Sequence, residues 1–159
     1  MNRRELLAGA VTVPSLALAQ KADWKPLTFD AHQNETVIIL TDLIVPTTDT
    51  PGAKEANVNR YIDLLVTDGP DRQREIVLAG LGRLDQVANA THGKPFKSCT
   101  REQQTAILQQ ADDGNASPDL VDFFKQFKGL TTRIYYNTEI GYKELNKGGR
   151  VPRSFACKA

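Results

Sequence analysis

The sequence predicts an all-α fold: a single compact domain of about five helices, with a long loop after the first helix and an extended C-terminal tail. Three observations lead there. Apolar residues recur at i, i+3 and i+4 along most of the chain. The runs they make are bracketed by residues that start and stop helices. The chain has 159 residues and is 40% hydrophobic, which suits one globular domain with a single core.

The elements follow in order. Residues 20 to 27, QKADWKPL, read as a polar linker ending near Pro26. Thr28 or Asp30 then caps a first helix carrying Val37, Leu40 and Ile44, with Ile38, Ile39 and Leu43 widening its apolar face. The β-branched stretch VIILTDLIV also suits a strand, but its length and start signals favour a helix ended by Pro46. Residues 46 to 56, PTTDTPGAKEA, form the long loop. A second helix runs from about Val58 to Thr67, with Val58, Ile62, Leu65 and Val66 on one side. Asp68-Gly69-Pro70 breaks it.

The third helix spans about Asp71 to Ala90, its stripe built from Ile76, Val77, Leu81, Leu84, Val87 and Ala88. Gly80 and Gly82 inside it suggest close approach of another backbone. His92-Gly93 closes it, and Lys94 to Ser98 reads as loop. Thr100 to Gln103 is a capping box opening the fourth helix, which ends at Asp112-Asp113-Gly114. Ser117-Pro118 starts the fifth, the most aromatic face of the chain, with Phe123, Phe124 and Phe127. It reaches Tyr135 or Tyr136. NTEIGYKEL then either continues it with a kink at Gly141 or forms a separate short turn. From Asn146 the tail shows no periodicity.

The first 19 residues read as an export signal. Arg3 and Arg4 give the positive start, Leu6 to Leu18 a moderately apolar run, and Ala17-Leu18-Ala19 a small-x-small cleavage site. The adjacent arginines followed by Glu5-Leu6-Leu7 fit the twin-arginine pattern. A substrate of that route crosses the membrane already folded, so it can carry a bound passenger. Lys and Arg number 20 against 19 Asp and Glu. That balance argues against nucleic acid as a partner, and no apolar run reaches membrane-spanning length.

The chemistry of cofactors and nucleophiles finds little purchase. His32, which reads as an exposed first-turn helix residue, and His92, a helix C-terminal one, have no second ligand at metal-binding spacing, and CxxC, HExxH, CxxCH and Walker A sequences are missing. Gly80-Leu81-Gly82 lacks the rest of a dinucleotide fingerprint. Asp112-Asp113 reads as a solvated helix end. No catalytic, cofactor-binding or metal-binding residue is therefore assigned. In an exported chain, Cys99 and Cys157 suit a mutual disulfide, a bridge to a partner subunit, or two free thiols. What remains is surface for binding: Tyr135, Tyr136, Tyr142, Phe155 and Trp24, whose type is favoured at interfaces, and the loop 46 to 56. The tyrosines serve equally well to finish the helical core.

Two stretches carry a resemblance. LIVPTTDTPGAKEANVNRYIDLLV, through Leu43, Ile44, Pro46, Thr48, Asp49, Pro51, Gly52, Ala53 and Asp63, resembles the signature of the gluconate 2-dehydrogenase subunit 3 family. YYNTEIGYKEL is similar to a second pattern of that family at Tyr135, Tyr136, Glu139 and Gly141, and Cys157 near the C-terminus also looks familial. The resemblance implies a small subunit without a cofactor of its own, bound to a periplasmic flavoprotein dehydrogenase. That large subunit is of the FAD-containing glucose-methanol-choline type and oxidises a sugar, sugar acid or polyol. Where a multihaem cytochrome c subunit is present, it takes the electrons. The small subunit carries the large one through the twin-arginine translocase, and membrane association comes only through the complex. The candidate partner interface, drawn from the loop, the two stretches and the aromatic residues, is Pro46, Asp49, Pro51, Gly52, Tyr135, Tyr136, Glu139, Tyr142 and Phe155. The contrasting expectation is a stand-alone exported helical binding protein, or a minor enzyme using Cys99.

Overall fold

The computed structural model describes residues 24–146. Arg3, Arg4, Ala17 and Ala19 of the leader, and Phe155, Cys157 and the rest of the tail, lie outside the described residues. Within them the chain is all-helical: α1 (Ala31–Ile44), α2 (Val58–Asp68), α3 (Asp71–His92), α4 (Arg101–Asp112), α5 (Pro118–Asn137) and α6 (Glu139–Leu145), with a 3₁₀ turn at Phe96–Ser98.

Local rules explain most boundaries. Asp30 caps α1, its side chain accepting the Gln33 N–H while Gln33 reaches back to the Asp30 N–H. Thr100 and Gln103 make the same reciprocal pair at α4. Gly93, at φ 68°, ends α3 in the left-handed conformation that a side chain resists. Pro118 opens α5, although the Ser117 side chain makes no capping bond and instead accepts from Arg83.

Helix α5 is the centre of the body and touches α1, α2, α3, α4 and α6. Its buried face, from Leu120 through the three phenylalanines to Ile134 and Tyr135, supplies the bulk of the core. Gly80 of α3 makes room for it. A Cβ there would fall 2.0 Å from the Phe123 ring, so an aromatic ring rather than a backbone occupies the space. Gly82, by contrast, faces open space.

Four sequence expectations are corrected. Leu65 lies outside the buried stripe of α2, which is Val58, Ile62 and Val66, together with Asn59 and Asp63. The segment Lys94–Ser98 is no simple loop. Phe96 within it is fully buried, its N–H bonded to Asp85 Oδ1 (2.8 Å) and its carbonyl to Gln104 (2.9 Å). His32, read as an exposed first-turn residue, pairs through Nε2 with the same Asp85. The supposed linker is bound from Trp24 onward, its ring lying 5.2 Å from the Arg60 guanidinium.

Candidate partner interface

The two family-like stretches meet in space around Tyr135. The loop after α1 folds back on itself: the Ala53 N–H donates to Val45 O (2.9 Å), and the Gly52 N–H to Thr47 Oγ1 and Glu55 Oε2. The Thr47 hydroxyl, foremost, and then backbone N–H groups hold the Glu55 carboxyl below its ordinary range. Gly52 is required by close approach, since a Cβ there would sit 2.6 Å from the backbone of residues 45–47. The Tyr135 hydroxyl, from α5, lies 2.7 Å from Pro51 O and 2.6 Å from Glu144 Oε2 of α6, so its single proton serves two acceptors. Thr50 donates to the other Glu144 oxygen at 3.3 Å. Burial, with Glu144 next to it, pushes the Tyr135 phenol well above its usual range, so it remains a donor.

Thr138 divides α5 from α6. Its hydroxyl donates to Tyr135 O (2.6 Å) and accepts the Gly141 N–H (3.2 Å), so the break falls at Thr138 and α6 is a separate helix. Gly141 lies against α5 so closely that a Cβ would be 2.1 Å from Tyr135 O.

Asp63 works from the middle of α2. Buried to 1% exposure, its carboxylate accepts three successive backbone N–H groups: Leu27 at 2.7 Å on Oδ2, and Thr28 and Phe29 at 3.0 Å on Oδ1. One carboxylate thus fastens the stretch that leads into α1.

The structure distributes the sequence-predicted interface residues unevenly. Tyr135 is 1% exposed and Gly52 is buried, so both shape the body rather than offer contact surface. Pro46, Asp49, Pro51, Glu139 and Tyr142 are exposed, and Tyr136 is half-buried edge-on to Tyr135. Glu139 pairs with Lys143, whose ammonium holds its carboxyl below the ordinary range. Cys99 is a buried free thiol facing the carbonyls of Lys94 and Pro95. Among the described residues, no cluster of three or more His, Cys, Asp or Glu could hold a metal ion. No described helix is long and apolar enough to cross a membrane.

Sequence reasoning missed a second surface. Leu27 (68% exposed), Tyr61 (50%), Leu64 (47%) and Leu65 (44%) present large apolar side chains outward from α2 and the segment before α1. The signal was available, because α2 is apolar on both sides while only one side can face α5.

These features define a class of protein: a small helical body in which Asp63, Tyr135 and Gly52 of the motif stretches are spent on holding its own loop and the segment before α1 in place. The chain matches the family model described as gluconate 2-dehydrogenase subunit 3 over residues 31–149, and it belongs to that family. Neither a curated protein nor a solved structure matches it.

Proposed function

We propose that this chain is the non-catalytic small subunit of a periplasmic dehydrogenase, which binds, helps export and stabilises the large catalytic subunit. The large subunit would be the glucose-methanol-choline-type flavoprotein that carries FAD and oxidises a sugar, sugar acid or polyol. A multihaem cytochrome c subunit, with its haem c, would receive the electrons and tie the assembly to the membrane. Residues 1–19 would be the twin-arginine signal for both proteins, and residues 20–159 the binding body.

The observation that carries this reading is membership, over residues 31–149, of a family described as a dehydrogenase subunit. Two further facts support it. Four residues of the family-like stretches, Asp63, Tyr135 and the close-packed Gly52 and Gly141, are engaged in internal architecture. Large apolar side chains on α2 are left facing outward, as subunit surfaces are. The buried position of the Cys99 thiol weighs against the stand-alone enzyme.

The test is Arg3→Lys with Arg4→Lys in cells making both subunits. Dehydrogenase activity should remain in the cytoplasmic fraction, with both polypeptides. Activity that still arrived in the periplasm would refute the shared-signal mechanism.

A further inference from the structure

The outer face of α2 and the groove between it and α5 form one apolar surface. Tyr61, Leu64, Leu65, Leu130 and Ile134 line a groove of about 490 Å³, and Leu27 and Leu64 share an adjoining concavity under Trp24. Across Leu130 and Arg133 this groove continues into a second one, between α3 and α5, lined by Ile76 and Phe127. Contiguous exposed apolar surface rimmed by polar residues is the kind of surface on which partners dock.

Charge narrows the occupant. The residues lining the two grooves include Arg133 and Lys125 and no carboxylate. Neither cation has an ion-pair partner among the described residues. The remainder of this chain supplies little of the missing charge, since its acids there are Glu5, next to Arg3 and Arg4, and Asp23, next to the described body. Residues 147–159 carry Lys147, Arg150, Arg153 and Lys158 and no acid, and the apolar run of the leader, Leu6 to Leu18, has no carboxylate either. A second copy docking face to face would bring the two cations onto themselves, because a two-fold contact pairs each patch with its own image.

Resting on the subunit reading above, we infer that this α2–α5 surface docks an amphipathic segment of the dehydrogenase's large subunit, with apolar side chains flanked by carboxylates. The apolar residues fill the groove beside Leu64 and Leu65, and the carboxylates meet Arg133 and Lys125. The loop 46–56 and the outer side of α6 then lie outside the main contact.

The experiment uses the full chain, affinity-tagged and produced together with the flavoprotein large subunit, with binding of the purified large subunit measured by interferometry. Leu64→Ser with Leu65→Ser, and separately Arg133→Glu, should each weaken binding at least tenfold, while helical circular dichroism and melting temperature stay those of the parent. Arg133→Lys should retain most of the affinity, and Tyr142→Ser on α6 all of it. Parent affinity should fall as salt rises, less steeply for Arg133→Glu. Groove variants that bind like a parent that itself captures the flavoprotein would overturn the surface and leave the subunit reading intact. A parent that captures no flavoprotein overturns both. A parent dimer that the groove variants convert to monomer assigns the surface to a second copy and overturns the inference.

Discussion

Replacing Asp63 tests whether one carboxylate fixes how the chain joins its helical body. In Asp63→Ala, the Leu27 and Thr28 N–H groups, which lie at the partly exposed edge, can turn to water, whereas the Phe29 N–H is buried and is left without a partner. A hydrogen bond to a charged group contributes about 1.5–3 kcal/mol, and an orphaned buried donor costs about 1–3 kcal/mol. With two of the three donors partly rehydrated, the loss comes to about 3–5 kcal/mol, the range found when a buried charged network loses one member. Asp63→Asn keeps one acceptor for Thr28 and Phe29 but sets an amide N–H against the Leu27 N–H, so about 1–2 kcal/mol is expected. Urea unfolding followed by far-ultraviolet circular dichroism gives both values, and hydrogen exchange at Phe29 locates the effect. If both variants unfolded within about 0.5 kcal/mol of the parent, the scale of an ordinary surface substitution, and Phe29 kept its protection, the clasp would not hold this segment.

Four further outcomes are expected. Gly82→Ala should raise stability by up to about 1 kcal/mol, because the position is open and alanine favours helix. Gly80→Ala should lower it by about 1–3 kcal/mol by driving a methyl group into Phe123; equal melting temperatures for the two would contradict the packing. Thr131→Val should stabilise by about 1 kcal/mol, since the fully buried Thr131 hydroxyl has no hydrogen-bond partner among the described residues; thermal unfolding decides, and a loss of stability would mean the hydroxyl is satisfied. Tyr135 supplies a pH dependence. Its phenol holds its proton more tightly folded than unfolded, so its contribution is complete below about pH 10 and is lost as pH rises through the alkaline range. Tyr135→Phe should flatten that alkaline decline in unfolding free energy, and an unchanged slope would count against the buried phenol.

What could be read in the sequence was what local chemistry decides. The caps at Asp30 and Thr100 and the stop at Gly93 depend on residues within four positions of one another, so the helices they bound were legible. The Phe96 turn was not, because its partners Asp85 and Gln104 lie on two other helices. Tyr135 was ambiguous for a related reason: a tyrosine's composition suits a core and an interface equally, and only Pro51, distant in sequence, and Glu144, on the next helix, place it inside. Asp63 stood out as part of a family-like stretch, yet its three N–H partners come from a segment that precedes it by more than thirty residues. The outward face of α2 was missed because Leu65 was placed with Val58, Ile62 and Val66, while Tyr61 and Leu64 were assigned to no side.

The loop between α1 and α2 is tied from within by Gly52 and from outside by Tyr135 and Glu144. Surface connections ordinarily absorb insertions and drift freely. This one should instead change over generations as slowly as an interior helix does. A single added residue between Pro46 and Ala53 would pull Pro51 off its phenol, so the loop's length is held even where an outward side chain is left to vary among descendants of this chain.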